Sequence, residues 1–225
     1  MSYNWLFIAT IIFALVDWYA AWKEDRLLLF IAKPGTLFFL ILWSLQQTSW
    51  QGVMIWYGLG LILSLAGDVA LLFSARWFLL GLGFFLLAHV MFIVGFNSPL
   101  PGFTFYSALL AIFVGLIAAQ VLKKIRPGIE RLPSSRVMIP ASLAYGLALT
   151  LMWLSALLTL FNSAWMTLPA VIAALGGSFF FISDSTLSYD RFIRKLPRGR
   201  FWVHVTYHLG VAGILIGSML NFYAD

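Results

Sequence analysis

The sequence contains no cysteine, and only 10% of its 225 residues carry charge. The absence of cysteine excludes disulfides, thiolate metal centres and cysteine nucleophiles. So little charge, set against 62% hydrophobic residues and a mean hydropathy of +0.96, excludes the balance of a soluble globular domain. Also missing are a G-x-S-x-G nucleophile elbow, an H-E-x-x-H zinc motif and a phosphate-binding loop. Gly81-x-Gly83 reads as a helix-packing feature instead. There is no low-complexity tract, and little sequence is left over for a soluble domain.

What is present is a series of apolar runs, each about 20 residues long, as a membrane-crossing helix requires. Eight spans are predicted, at roughly 4–22, 27–45, 53–73, 78–96, 103–122, 137–160, 167–187 and 202–222. The expected fold is an all-α integral membrane protein, a bundle of eight transmembrane helices in one domain, 1–225. The first run lacks a basic leader and a small-residue cleavage site, so it reads as a retained span.

The net charge of +6 is distributed unevenly. Of the fourteen Lys and Arg residues, all but Lys33 fall outside the spans. They sit after span one (Lys23, Arg26), span three (Arg76), span five (Lys123 to Arg136) and span seven (Arg191 to Arg200). The alternate loops, 46–52, 97–102 and 161–166, have none. By the positive-inside rule the basic loops are cytoplasmic and both termini are not. Trp5, Trp50 and Trp165 near one face and Trp22, Trp77 and Trp202 near the other fit aromatic belts. The expected location is a bacterial inner (cell) membrane, with the basic loops against anionic headgroups and no nucleic-acid partner.

The longest expected connection, Lys123 to Arg136, divides the chain into halves 1–122 and 137–225, joined by a basic cytoplasmic loop. Pro34-Gly35-Thr36-Leu37 resembles Pro140-Ala141-Ser142-Leu143, and Gly67-Asp68-x-x-Leu71 resembles Ser183-Asp184-x-x-Leu187. These echoes suggest two four-helix halves in parallel duplication, and they pair Asp68 with Asp184.

Ionisable groups inside spans mark function by default, because lipid solvates them so poorly. At about 1.5 Å of rise per residue from the nearest basic residue, Asp17, Lys33, Asp68, Asp184 and His208 all lie roughly 9–12 Å below the cytoplasmic face. Lys33 can snorkel, and Asp17 beside Trp18 can be interfacial; Asp68 and Asp184 are too short to reach water. His89, measured from Arg76, comes out at about 20 Å and reads as a packing residue. His204 and His208, spaced i, i+4, share a helix face, a spacing that resembles membrane metallohydrolases with histidine-bound zinc. The third ligand would be His89, or a carboxylate in its place.

Taken together, Lys33-Pro34, Gly67-Asp68, Ala88-His89, Ser183-Asp184-x-x-Leu187 continuing to Arg191-Phe192, and Tyr207 resemble the YhhN family of lysoplasmalogenase-like membrane proteins over nearly the whole chain. The chain departs from the family pattern at Phe92, where tyrosine is common, and after Tyr207, where relatives often carry a glutamine. The resemblance implies eight spans and hydrolysis of the vinyl-ether bond of a lysoplasmalogen to a fatty aldehyde and a glycerophospho-alcohol. It implies Asp68 and Asp184 as catalytic acid and anion, and a lysophospholipid as substrate. Lys33, Ser183, Tyr207, His208 and Asp17 would bind substrate or tune the aspartates, with no metal and no cofactor. Ser183 and Ser185 are the expected hydrogen-bond partners of Asp184. Two other readings remain open: a zinc-dependent lipid amidase or esterase built on His204 and His208, and a proton-coupled carrier in which the aspartates exchange protons.

Overall fold

A computed structural model describes residues 4–73, 77–102 and 104–223. Eight helices follow one another: α1 (Trp5–Lys23), α2 (Arg26–Thr48), α3 (Met54–Leu72), α4 (Phe78–Phe96), α5 (Phe105–Glu130), α6 (Ser135–Leu158), α7 (Thr167–Phe192) and α8 (Gly199–Phe222). A short 3-10 turn, Thr159–Phe161, continues α6, and no strand occurs among the described residues. All eight helices are long and apolar enough to cross a membrane, so the protein is an all-α integral membrane protein.

Local chemistry marks the helix starts and stops. Glu24 turns the chain into the left-handed region after α1 (φ 59°), and the Asp25 carboxylate then accepts the amide of Leu28 at 3.1 Å to open α2. A reciprocal capping box between Thr104 and Ser107 opens α5. Contacts between helix ends define two faces. At one, Gln47 reaches Asn4, Asn162 reaches the Pro99 carbonyl, and Asn221 accepts the Met166 amide at 2.8 Å. At the other, Arg198 lies over the Trp22 ring and Arg191 over Phe78, so the basic residues gather at one end of the bundle.

Three helix ends differ from expectation. Helix α5 continues to Glu130, so Lys123, Lys124 and Arg126 are helical, and the link to α6 shrinks to residues 131–134. The basic loop expected over 123–136 is therefore mostly helix. Likewise α7 runs through Arg191, and Arg200 lies in the first turn of α8. Hydropathy falls where lipid ends, but backbone hydrogen bonding continues past that plane, helped in α5 by the Arg126–Glu130 pair at 2.7 Å, an i, i+4 contact. Arg76, and Phe103 where span five was expected to begin, lie outside the described residues.

The closest packing is between α7 and α8, where glycines bring two backbones together. A Cβ at Gly210 would meet the backbone nitrogen of Phe180 at 2.7 Å, and one at Gly217 that of Ala173 at 2.6 Å. Gly176 and Gly213 face each other in the same strip. In lipid, where apolar burial gives no preference between helix and solvent, such close approach is the main source of association. Across the seam the Ser183 hydroxyl donates to the Val203 carbonyl at 2.9 Å. The opposite case is α5, with 11% of its most apolar stretch buried against 33–56% for the other helices. It lies at the periphery, on α6 and α7, and leaves a cavity beneath it.

Gly210→Leu forces the α7–α8 seam apart and is expected to lower the thermal unfolding midpoint in detergent, an overpacking penalty of about 1–3 kcal/mol. Gly83→Ala, whose Cβ would meet open space, is the control and is expected to leave the midpoint unchanged or slightly raised. Equal midpoints for Gly210→Leu and the native chain would contradict the close-packed seam.

Candidate active site

Asp68 sits in the last turns of α3 with no solvent exposure, and two helices supply its partners. The Lys33 ammonium, from α2, lies 2.8 Å from Oδ1. Tyr207, from α8, donates its hydroxyl to Oδ2 at 2.8 Å. A buried carboxylate needs both charge compensation and hydrogen bonds, and here it has each. Lys33 therefore does not snorkel: its side chain is only 10% exposed and its charge is directed into the bundle.

Asp184, on α7, has a different set. Its Oδ2 accepts a hydrogen bond from the hydroxyl of Tyr145 on α6, and His89 Nε2 of α4 lies 3.5 Å from the same oxygen. His89 Nε2 is also 3.3 Å from the Tyr145 hydroxyl. A proton on Nε2 serves both neighbours, since Tyr145 spends its own proton on Asp184. Ser183 and Ser185 do not bond Asp184: Ser183 is committed to the Val203 carbonyl, and the Ser185 hydroxyl has no protein partner among the described residues.

The two aspartates line one small chamber of about 40 Å³, together with Lys33, Tyr145, Ser183 and Tyr207. Its apolar walls include Phe78, Leu82 and Phe85, and the Tyr207 ring is packed edge-on by Phe85 and Phe180 at 5.8 and 5.4 Å. Two larger spaces adjoin it. A polar vestibule of about 380 Å³ opens at the basic end and shares Lys33, Phe78 and Arg191 with the chamber. An apolar cavity of about 490 Å³ lies between α5, α6 and α7 and shares Tyr145, Asp184 and Phe78 with it.

Asp17 and His208 are not part of this chamber. Asp17 is fully buried, not interfacial, and His204 Nδ1 lies 2.7 Å from its Oδ2. His208 accepts the Trp18 indole N–H on Nδ1 at 3.1 Å, which places any ring proton of the neutral form on Nε2. This second polar cluster ties α1 to α8. It does not fit zinc. His89 is held on Asp184, the inward nitrogens of His204 and His208 face Asp17 and Trp18, and no metal-holding group of three His, Asp or Glu side chains occurs among the described residues.

Two contributors escape sequence reasoning. Tyr145 lies mid-span, where tyrosines are ordinary; the only available signal is that a phenol in lipid needs a partner. Backbone rise alone sets His89 too deep, because side chains lean toward the N-terminus of their helix. His89 on α4 leans toward the basic end and Asp184 on the oppositely directed α7 leans away from it, which brings them together.

Comparison with known proteins agrees with this architecture. The YhhN family model matches residues 28–218. A YhhN membrane protein of Escherichia coli O6:H1 is 27% identical over 180 residues, 80% of this chain and 82% of that protein. A protein of Dictyostelium discoideum named as a lysoplasmalogenase homolog is 33% identical over 158 residues, 63% of this chain and 52% of its own length. No solved structure matches. With a family match that takes in all of α3 to α7 and most of α2 and α8, and with it every residue of the chamber, the chain belongs to the YhhN family.

Proposed function

We propose that the protein hydrolyses the vinyl-ether bond of a lysoplasmalogen, releasing a fatty aldehyde and a glycerophospho-alcohol. The observation that carries the reading is the chamber itself, where two buried aspartates with different partners sit between a basic vestibule and an apolar cavity. The printed name of the Dictyostelium relative points the same way.

A vinyl ether resists plain water but reacts once its outer alkene carbon is protonated, which leaves an oxocarbenium ion. That carbon lies on the chain side of the ether. Asp184 borders the apolar cavity, so in this reading it is the proton donor, with Tyr145 holding one of its oxygens. Asp68, beside Lys33 and Tyr207, is the carboxylate that faces the cation and orients water. Water adds to the cationic carbon and gives a proton to Asp68, forming a hemiacetal. The hemiacetal then loses its hydroxyl proton to Asp184, the carbon–oxygen bond breaks, and the leaving alcohol takes the proton from Asp68. Both carboxyls return to their starting states, as in acid–base division of labour against other oxocarbenium-like transition states. Positive-inside topology puts the vestibule at the cytoplasmic leaflet and both termini on the far side.

Purified protein incubated with lysoplasmenyl-ethanolamine is expected to release aldehyde, and a chelator is expected to leave the rate unchanged. Asp184→Asn and Asp68→Asn should each reduce turnover by about 100-fold or more. Asp184→Asn should do so with little change in thermal midpoint, whereas Asp68→Asn, which leaves the buried Lys33 without its counter-charge, should lower the midpoint as well. Tyr145→Phe should fall between them and the native chain in turnover. Absence of aldehyde from native protein would dismiss the reaction, and full activity in either asparagine variant would dismiss the roles given to the two aspartates. Orientation has its own assay, because the chain has no native cysteine. Ser163→Cys should label with an impermeant maleimide in intact cells, and Ser134→Cys only in inverted vesicles; the reverse pattern would overturn the topology.

A further inference from the structure

The vestibule is lined by Arg26, Lys33, Arg191, Lys195 and Arg200, with Asp190 as its one carboxylate. Two of these cations are already used. Lys33 is paired with Asp68, and Lys195 with Asp190 at 2.7 Å. Asp190 is further occupied by the Leu196 amide, also at 2.7 Å. Arg26, Arg191 and Arg200 then face one cavity without a carboxylate partner among the described residues. Arg191 is held in place: its guanidinium stacks 3.6 Å from the centre of the Phe78 ring, and Phe78 borders all three cavities. The N-terminal turns of α2 and α8, which carry Arg26 and Arg200, open on the same space, and their dipoles add to the preference for an anion.

The far side of the chamber has the opposite character. The cavity under α5 is lined almost wholly by apolar groups, such as Leu82, Ala118, Leu122 and Phe181, and its volume of about 490 Å³ lies within the ~300–1,000 Å³ of small-molecule sites. Gly115 and Gly146 both border it, and a Cβ at either would meet nothing within 4 Å. The void is therefore a built space between helices, open where small residues line it. One molecule spanning vestibule, chamber and cavity has an anion at one end, a single apolar chain at the other, and a short linkage between.

We infer that Arg26, Arg191 and Arg200 form the phosphate subsite, and the cavity between α5, α6 and α7 the chain subsite, of a single-chain phospholipid whose linkage lies between Asp68 and Asp184. Lys33, engaged by Asp68, takes no part in holding the phosphate. Recognition stops at the phosphate: the described vestibule offers no unpaired carboxylate to read an ammonium beyond it. This rests on the proposed reaction only in sharing its chamber, since the subsites are defined without any chemistry at the ether.

The probe is 1-O-hexadecyl-glycerophosphoethanolamine, which has a saturated ether and cannot be cleaved. Its binding to the full chain in nanodiscs is compared with that of the choline analogue, of 1-O-hexadecylglycerol and of inorganic phosphate. The ethanolamine and choline probes should bind within about threefold of each other, and hexadecylglycerol at least tenfold more weakly. Arg191→Gln combined with Arg200→Gln should weaken the phosphate probes about tenfold or more and leave hexadecylglycerol unchanged. Gly146→Phe, which enters open space, should reject the hexadecyl probe and still accept an octyl one. Hexadecylglycerol binding as tightly as its phosphate ester, or the double variant binding normally, would overturn the phosphate subsite. Inorganic phosphate competing at the concentration of the lipid, or Gly146→Phe accepting both chain lengths equally, would overturn the chain subsite. Probe binding with no aldehyde from the vinyl ether would sink the reaction and leave both subsites standing; aldehyde release with variant-insensitive binding would do the reverse.

Discussion

A carboxylate placed inside a bundle in lipid has to find a counter-charge, and the Lys33–Asp68 ion pair is where this chain meets that demand. The desolvation of two ions is large, and their attraction offsets it only with good geometry and satisfied remaining bonds. Asp68 has its counter-charge in Lys33, 2.8 Å from Oδ1, and one hydrogen bond, from the Tyr207 hydroxyl to Oδ2. Removing one partner of a buried pair leaves an uncompensated charge, a loss of about 3–5 kcal/mol. The pair thus couples α2 to α3, and Tyr207 adds α8, so three helices are fixed around a single carboxylate. Hydrophobic segregation does not select this arrangement, because lipid is as apolar as the helix faces.

The glycine strip between α7 and α8 is the second constraint, and it acts on the same atoms. Because Gly176, Gly210, Gly213 and Gly217 let the two backbones touch, Asp184 on α7 and Tyr207 on α8 border one chamber of about 40 Å³. Larger residues in the strip would separate them by the width of a side chain. The electrostatic and steric constraints meet at Tyr207, which packs edge-on to Phe180 of α7 and donates to Asp68 of α3. Such a small chamber has room for about one or two waters, enough for a hydrolysis and too little for bulk solvent to quench a cation.

Much of the fold is legible in the sequence because bilayer thickness imposes a length on every apolar run, and all eight runs are helices. What hydropathy cannot register is where a helix ends once it has left the lipid, hence the extra turns of α5 and α7. The embedded charges are legible too, for the converse reason: Lys33, Asp68 and Asp184 stand out against apolar neighbours. Their partners do not. Tyr145 looks like any other interior aromatic, and only the three-dimensional meeting of α6 with α7 makes it a donor to Asp184. The serines flanking Asp184 illustrate the same limit, since adjacency along a helix turns side chains about 100° apart. Ser183 thus faces α8, not its neighbour.

In the proposed reaction the asymmetry of the surroundings also gives turnover a direction. The substrate lies across three environments, but each product belongs to one. The aldehyde keeps the apolar chain and stays in the cavity under α5, which borders the least buried helix of the bundle and so the lipid itself. The glycerophospho-alcohol keeps the phosphate and has no chain to anchor it, so it leaves through the vestibule toward water. Once the carbon–oxygen bond breaks, neither fragment retains the binding that the two ends of the intact lipid supplied jointly, an intramolecular advantage lost on cleavage. Affinity that positions the ether between the aspartates therefore does not hold the products there.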